Sequence, residues 1–168
     1  MTDRRRKWLH IVLWLLVVLW MAVIYTFSAQ NAQDSNQTSG RVIRWLLTQS
    51  DEGFADLSPE AQLLRIREWS HAVRKLAHFI LFTGAGFLAF AAFSADLPPR
   101  RAFPAALGLG AAQAVLDEVH QSFVPGRSAE FRDVCIDFGG VLLGASVLLF
   151  ILWLIQRKRK RNEKQKKG

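Results

Sequence analysis

The chain has 168 residues, 51% of them hydrophobic, with a single cysteine and a net charge of +8. That length holds one compact unit and no second independent soluble domain, and Cys135 has no partner for an intrachain disulfide, so helix packing must hold the fold. The apolar residues fall in blocks that reach or approach the roughly 20 residues needed to cross a bilayer, and the bases cluster at block ends as an insertion signal, which argues against nucleic acid as a partner.

Arg4-Arg5-Arg6-Lys7 precedes an apolar run over residues 8–27. The run is longer than the hydrophobic centre of a secretory signal, and Tyr25-Thr26-Phe27-Ser28-Ala29-Gln30 offers no small-x-small cleavage site. It predicts a retained first transmembrane helix, with a cleaved signal as the minor alternative. Residues 28–73 form the one sizeable segment between spans. Its first part, residues 31–39, is polar and expected to be irregular, and two short helices are expected beyond it. Val42, Trp45 and Leu46 share a face of the earlier one. Ser58-Pro59-Glu60 starts the later one with an N-cap, a proline at the first helical position and an acid favoured by the helix dipole. There Ile66, Trp69 and Val73 share a face. Both faces would lie along the membrane surface or cover the ends of the spans.

A second span is expected over residues 76–93, ended by Leu97-Pro98-Pro99-Arg100-Arg101, because consecutive prolines remove backbone donors and restrict their neighbours. A third covers 103–121 and a fourth 134–155, where Gly139, Gly140 and Gly144 permit close helix contact. The remaining residues, 157–168, form a basic tail expected to be unstructured and to act first as an orientation signal, with attraction to anionic inner-leaflet lipids as the alternative. Fourteen Lys and Arg residues flank the spans on one side: Arg4 to Lys7, Arg100, Arg101 and the tail. The positive-inside rule then makes both termini cytoplasmic and residues 28–73 an outer helical loop. The expected architecture is all-α, a polytopic membrane protein with four transmembrane helices, one membrane domain over residues 1–156 and the tail.

This topology gathers polar groups from four distant places at the outer ends of the spans. Span one ends with Ser28 and Gln30, and span two opens with His71, Arg74, Lys75 and His78. Span three ends in Leu116-Asp117-Glu118-Val119-His120-Gln121-Ser122-Phe123-Val124-Pro125-Gly126-Arg127, and span four opens with Asp133 and Asp137. Arg74 and His78 are four apart, as are Gln113, Asp117 and Gln121, and Asp133 and Asp137, so each set projects from one helix face. Ionised groups facing lipid lose their hydration, which turns these faces toward one another. The simplest pairs join Arg74 or Arg127 to Asp117, Glu118, Asp133 or Asp137.

Two readings of this cluster stay open. As a structural network it would fix helix register. As a site, Arg74, Lys75 and Arg127 would bind an anionic group, Arg127 in bidentate fashion, while His78, Asp117 and Glu118 are the candidates for exchanging protons. Ser28, Gln30, Gln121, Asp133 and Asp137 would then hold the scaffold. A metal ligated by His78, Asp117, Glu118 and His120 is conceivable, but the spacing is not the helical His-Glu-x-x-His pattern, so no metal or other cofactor is expected. Neither Ser28 nor Ser122 carries an activated-nucleophile motif; both suit caps.

These segments resemble the VanZ-like family of bacterial membrane proteins. The resemblance runs over about residues 8–155 and rests on Phe27-Ser28-Ala29-Gln30, Arg74-Lys75-Leu76-Ala77-His78-Phe79 and Asp117 to Arg127, continued by Asp133, Gly140 and Gly144. It implies a small multipass protein of the bacterial cytoplasmic membrane, with one relative associated with low-level resistance to teicoplanin and related lipoglycopeptides. It implies neither a settled reaction nor catalytic residues. Family positions corresponding to Asp137 carry Asn or Asp, and the position of His120 varies, which counts against a metal site that needs His120. The leading expectation is a protein that recognises or modifies an envelope component, or a lipid-anchored ligand, at the outer leaflet. A structural or assembly protein and a proton-coupled carrier are the alternatives, and whether the protein is an enzyme is left open.

Overall fold

The computed structural model describes residues 3–165, the side chains of Asp3 and Ala32 excepted. Its elements are α1 (Asp3–Ser28), α2 (Ala32–Ser50), α3 (Pro59–Ser94), α4 (Pro99–Gln121) and α5 (Phe131–Gln165), and no strand occurs among the described residues. Three of them, α1, α3 and α5, contain stretches long and apolar enough to cross a membrane. Helix α4, at 23 residues, is long enough but less apolar, because Gln113, Asp117 and Glu118 interrupt a run built largely of Ala and Gly.

The bundle is apolar on the outside. Leu15, Val18 and Leu19 of α1 are 62–63% exposed, whereas Val17 and Ile24 on its other face are 3% and 0% exposed. A soluble protein covers such a surface; lipid solvates it.

Helix α3 is the hub, packing against each of the other four, most extensively against α5. Two glycines of α5 make that contact possible. A Cβ at Gly140 would overlap the Phe79 carbonyl and one at Gly144 the Thr83 carbonyl, so both backbones approach without side chains between them. Gly139 is different: its Cβ would make only ordinary contact with Phe79. Helix α4 presents small residues at every fourth position, Ala102, Ala106, Gly110 and Ala114, all buried, and the next position on that row is Glu118. The packing row of α4 therefore runs straight into an acid.

The segment between α1 and α3 is more regular than its polarity suggests. Residues 31–39 are helical from Ala32 onward: the Asn31 side chain accepts from the Asp34 N–H at 2.9 Å, and Ser39 returns its hydroxyl to the Ser35 carbonyl. The face of α2 that packs is Ile43 with Leu47, against Phe54, Ile66 and Val73. Val42, Trp45 and Leu46 remain exposed, as does Trp69 of the later face. The second short helix expected from Ser58 is not separate. Ser58 caps it as read, its hydroxyl accepting from Ala61, but with no breaker between Pro59 and Ser94 it runs on as one 36-residue helix. The tail is not irregular either: α5 continues to Gln165, since straight-chain Lys, Arg and Glu suit a helix and bases complement its C-terminal dipole. Residues 166–168 of that tail lie outside the described residues.

Candidate functional site

The C-terminus of α1, the middle of α3, the C-terminus of α4 and the N-terminus of α5 meet at one end of the bundle. At the opposite end, His10 and Arg6 of α1 reach Asp96 beyond α3, at 2.8 and 3.9 Å. A cleft of about 210 Å³ opens at the meeting point. From α3 come His71, Arg74, Lys75 and His78, positions i, i+3, i+4 and i+7 of one face. Helix α4 gives Glu118 and Gln121, the following turn Gly126 and Arg127, and α5 Asp133 and Asp137, with Glu130 just before it.

The turn is built to place Arg127. The Arg127 N–H donates to the Val124 carbonyl at 3.1 Å, and Gly126 has φ 77°, so Pro125 and Gly126 occupy the central positions of a type II turn. The chain doubles back, and Arg127 Nη1 donates to the Ser28 carbonyl at 3.4 Å. That carbonyl ends α1, where a cation meets the negative end of the helix dipole. Burial holds the Arg127 guanidinium below the usual arginine range; the neighbouring Arg74 charge pushes the same way, and Asp117, Glu118 and Asp133 partly offset both.

The expected ion pairs are rearranged. Lys75 takes both Asp133 and Glu130, the latter at 3.5 Å, and neither Arg74 nor Arg127 forms an ion pair among the described residues. The reason is angular: Lys75 is one residue, about 100°, round α3 from Arg74 and meets the start of α5. Lys75 thereby serves as a clamp between α3 and α5, and the two arginines face the cleft as neighbouring like charges. Glu130 was not legible as part of the site, because it lies in an irregular connection with no helical period. Its backbone N–H also donates to Glu118 Oε1 at 2.5 Å, tying α4 to the start of α5.

Beneath the arginines the cleft is acidic. Asp117, Glu118 and Asp137 are 3%, 5% and 2% exposed. Gln121 Nε2 donates to Asp117 Oδ2 at 2.7 Å, while His78 Nδ1 stands 3.8 Å from both Asp117 Oδ2 and Asp137 Oδ2. Glu118 Oε2 is buried without a hydrogen-bond partner. Asp117 and Gln121 thus pair as their spacing predicts; Gln121 lines the cleft, whereas neither Asp117 nor Gln113 does. His120 also points elsewhere, its ring 4.5 Å from that of Tyr25. The Ser28 hydroxyl is buried and unpartnered, and Ser122 caps α4 by donating to the Val119 carbonyl.

A second cavity of about 210 Å³ adjoins the first and shares Arg74 and His78 with it. Its walls are mainly apolar, from Phe27, Val42, Val73, Ala77 and Leu81, with Gln30 at its edge. A polar cleft and an apolar groove therefore meet across two side chains.

A family model described as VanZ/LLP1 matches residues 13–154, which include every residue of the cleft. No curated protein and no solved structure matches the chain.

Proposed function

We propose that this chain, which belongs to the VanZ/LLP1 family, binds the anionic headgroup of a lipid-anchored cell-envelope component, or modifies it, at the outer leaflet of the bacterial cytoplasmic membrane. The observation that carries this reading is the pair of guanidiniums, Arg74 and Arg127, which share one cleft with no carboxylate paired to either among the described residues. Two like charges held together in a partly buried site are relieved by an anion between them. A phosphate or carboxylate suits the forked geometry of each.

The apolar groove supplies the other half of such a ligand, since a hydrocarbon chain lying along Val42, Val73, Ala77 and Leu81 would leave its headgroup beside Arg74 and His78. The exposed Val42, Trp45 and Leu46 on α2 and Trp69 on α3 suit the bilayer interface, where amphipathic rings settle. In this reading α4 also crosses the membrane, as the third of four spans, sheltered by α3 and α5, both termini are cytoplasmic, and the fourteen flanking bases lie inside. His78, Asp117 and Glu118 orient the bound group or exchange protons with it.

The test is Arg127→Ala in the native host. It should insert and accumulate normally while losing protection against teicoplanin-type lipoglycopeptides or another envelope phenotype of the deletion strain. Unchanged protection at unchanged abundance overturns the reading. Lipid and precursor profiling separates the two forms of it: an altered component marks modification, an unaltered profile marks binding. The second reading, a bundle lock or assembly surface, is favoured by the Lys75, Asp133 and Glu130 contacts, and predicts loss of abundance with loss of phenotype.

A further inference from the structure

At the inner wall of the cleft, where His78 and Asp137 meet Asp117 just behind the lining, stands a constellation that anion binding alone does not explain. His78, Asp117 and Asp137, from α3, α4 and α5, each offer one ligand atom, and these atoms lie within 4.8 Å of one another. We propose that they hold a divalent transition-metal ion of the manganese or zinc kind, facing the arginines across the cleft.

The distances leave room for an ion. His78 Nδ1 is equidistant, at 3.8 Å, from a carboxylate oxygen of each aspartate, beyond hydrogen-bond reach of both. An ion about 2.0–2.2 Å from each ligand puts neighbouring ligand atoms roughly 3–3.6 Å apart, so small side-chain rotations close the shell. Asp117 is already oriented by Gln121, the kind of outer contact that steadies a ligating carboxylate.

The second observation is Glu118. It is 5% exposed, borders the same cleft as His78 and Asp137, and leaves Oε2 buried with no partner. Its other oxygen is taken by the Glu130 N–H, so Oε2 is free to join the shell or hold a bound water. The charges agree. Lys75 is committed to Asp133 and Glu130, and the Arg127 charge acts on Asp117 and Glu118 only from beyond ion-pair distance, which leaves Asp117, Glu118 and Asp137 buried beside one imidazole with no Lys or Arg in contact among the described residues. A divalent ion puts positive charge in direct contact with them.

One imidazole with two or three carboxylates is a nitrogen and oxygen set, suited to Mn²⁺ or Zn²⁺, and too poor in oxygen for the six to eight ligands of Ca²⁺. Three protein ligands leave coordination positions open toward the cleft. The site stands on its own geometry and does not depend on which anion Arg74 and Arg127 bind.

The test uses the full chain purified in detergent, stripped with a chelator and titrated with MnCl₂ alone. Electron paramagnetic resonance of the free ion should give one saturable site per chain, displaced by ZnCl₂, and pulsed measurement of the bound Mn²⁺ should show a ¹⁴N coupling from a directly bound imidazole. His78→Ala should abolish that coupling, and the near-isosteric Asp117→Asn should weaken binding at least tenfold while eluting as the same species on gel filtration. His120→Ala should bind as wild type does. Arg127→Ala should also keep the site, so that failure of anion binding and failure of the metal site are told apart. Absence of a saturable site, a ¹⁴N coupling that survives His78→Ala, or wild-type affinity in Asp117→Asn overturns the proposal.

Discussion

Replacing Lys75 by methionine tests whether this residue belongs to the fold or to the ligand. Its ammonium contacts Asp133 and, at 3.5 Å, Glu130, with side-chain exposures of 14%, 28% and 47% for the three. Removing one partner of a fully buried ion pair costs about 3–5 kcal/mol, while an exposed pair contributes roughly 0–1 kcal/mol. Lys75 and Asp133 sit between these limits, and Glu130 is open enough to rehydrate, which puts Lys75→Met at about 2 kcal/mol. For a chain of this size that lowers Tm by roughly 4–8 °C. Asp133→Asn should cost less, because Lys75 keeps Glu130. The double variant should be no worse than Lys75→Met, giving a coupling of about 1–2 kcal/mol in the cycle. Thermal denaturation of detergent-purified protein, followed by the monodisperse fraction on gel filtration, measures all four corners. Additive losses, or an unshifted Tm in Lys75→Met, would refute the clamp and return Lys75 to the ligand-binding side of the cleft.

Other perturbations separate packing, turn geometry and the groove. Gly144→Leu drives a side chain into the Thr83 carbonyl and should destabilise by about 1–3 kcal/mol or abolish assembly, whereas Gly139→Ala should stay near wild type, both read as Tm. Gly126→Ala puts a Cβ on a residue at φ 77° at a cost of roughly 1–2 kcal/mol, and the relaxing turn should withdraw Arg127, so envelope protection falls more than abundance does. Ala77→Phe fills the apolar groove and should remove protection while leaving Mn²⁺ binding intact; full protection would count against a hydrocarbon chain lying there. Arg127→Lys carries a pH signature. The surroundings that disfavour the charged guanidinium disfavour an ammonium too, so the lysine's affinity should drop as pH rises through its lowered pKa, while the arginine protein, protonated throughout, should not change over that range.

Local rules made much of the bundle readable. Apolar block lengths and the Pro98-Pro99 break placed the long helices, Ser58 capped as its spacing predicts, and four-residue spacings put Arg74 with His78 and Asp117 with Gln121. The departures each come from tertiary context. Asn31 to Ser39 reads as loop because Ser and Asn compete locally with helix, yet α3 gives α2 a surface to pack on and Ile43 anchors it. The boundary between outer helix and second span is invisible in a chain whose helical period never breaks. Pairing partners were the least legible. Choosing between Arg74 and Lys75 for Asp133 depends on rotation about α3, and Glu130 falls where no periodicity applies. His120 is three residues, about 60° round α4, from Asp117, and from the edge of that face its ring meets Tyr25 instead of the acids.

The α4 row explains why so polar a floor is tolerated in so apolar a bundle. Ala102, Ala106, Gly110 and Ala114 draw α4 close to its neighbours, and the same row delivers Glu118 into the gap that α3 and α5 leave where His78 and Asp137 face each other. Close packing alone would favour an apolar residue at that position, because a buried carboxylate with a free oxygen costs more than a well-packed methyl group. The free oxygen of Glu118, beside two guanidiniums without an ion pair, therefore weighs against a network kept only for register. A register lock satisfies its members, as Lys75, Asp133 and Glu130 do. The unpaired groups lie one layer in: Arg74 and Arg127, without an ion pair among the described residues, and Glu118, whose Oε2 is buried without a partner. If Glu118→Gln raises Tm while protection is lost, the unsatisfied oxygen is retained for function; if Tm falls and protection follows abundance, the acid serves packing after all.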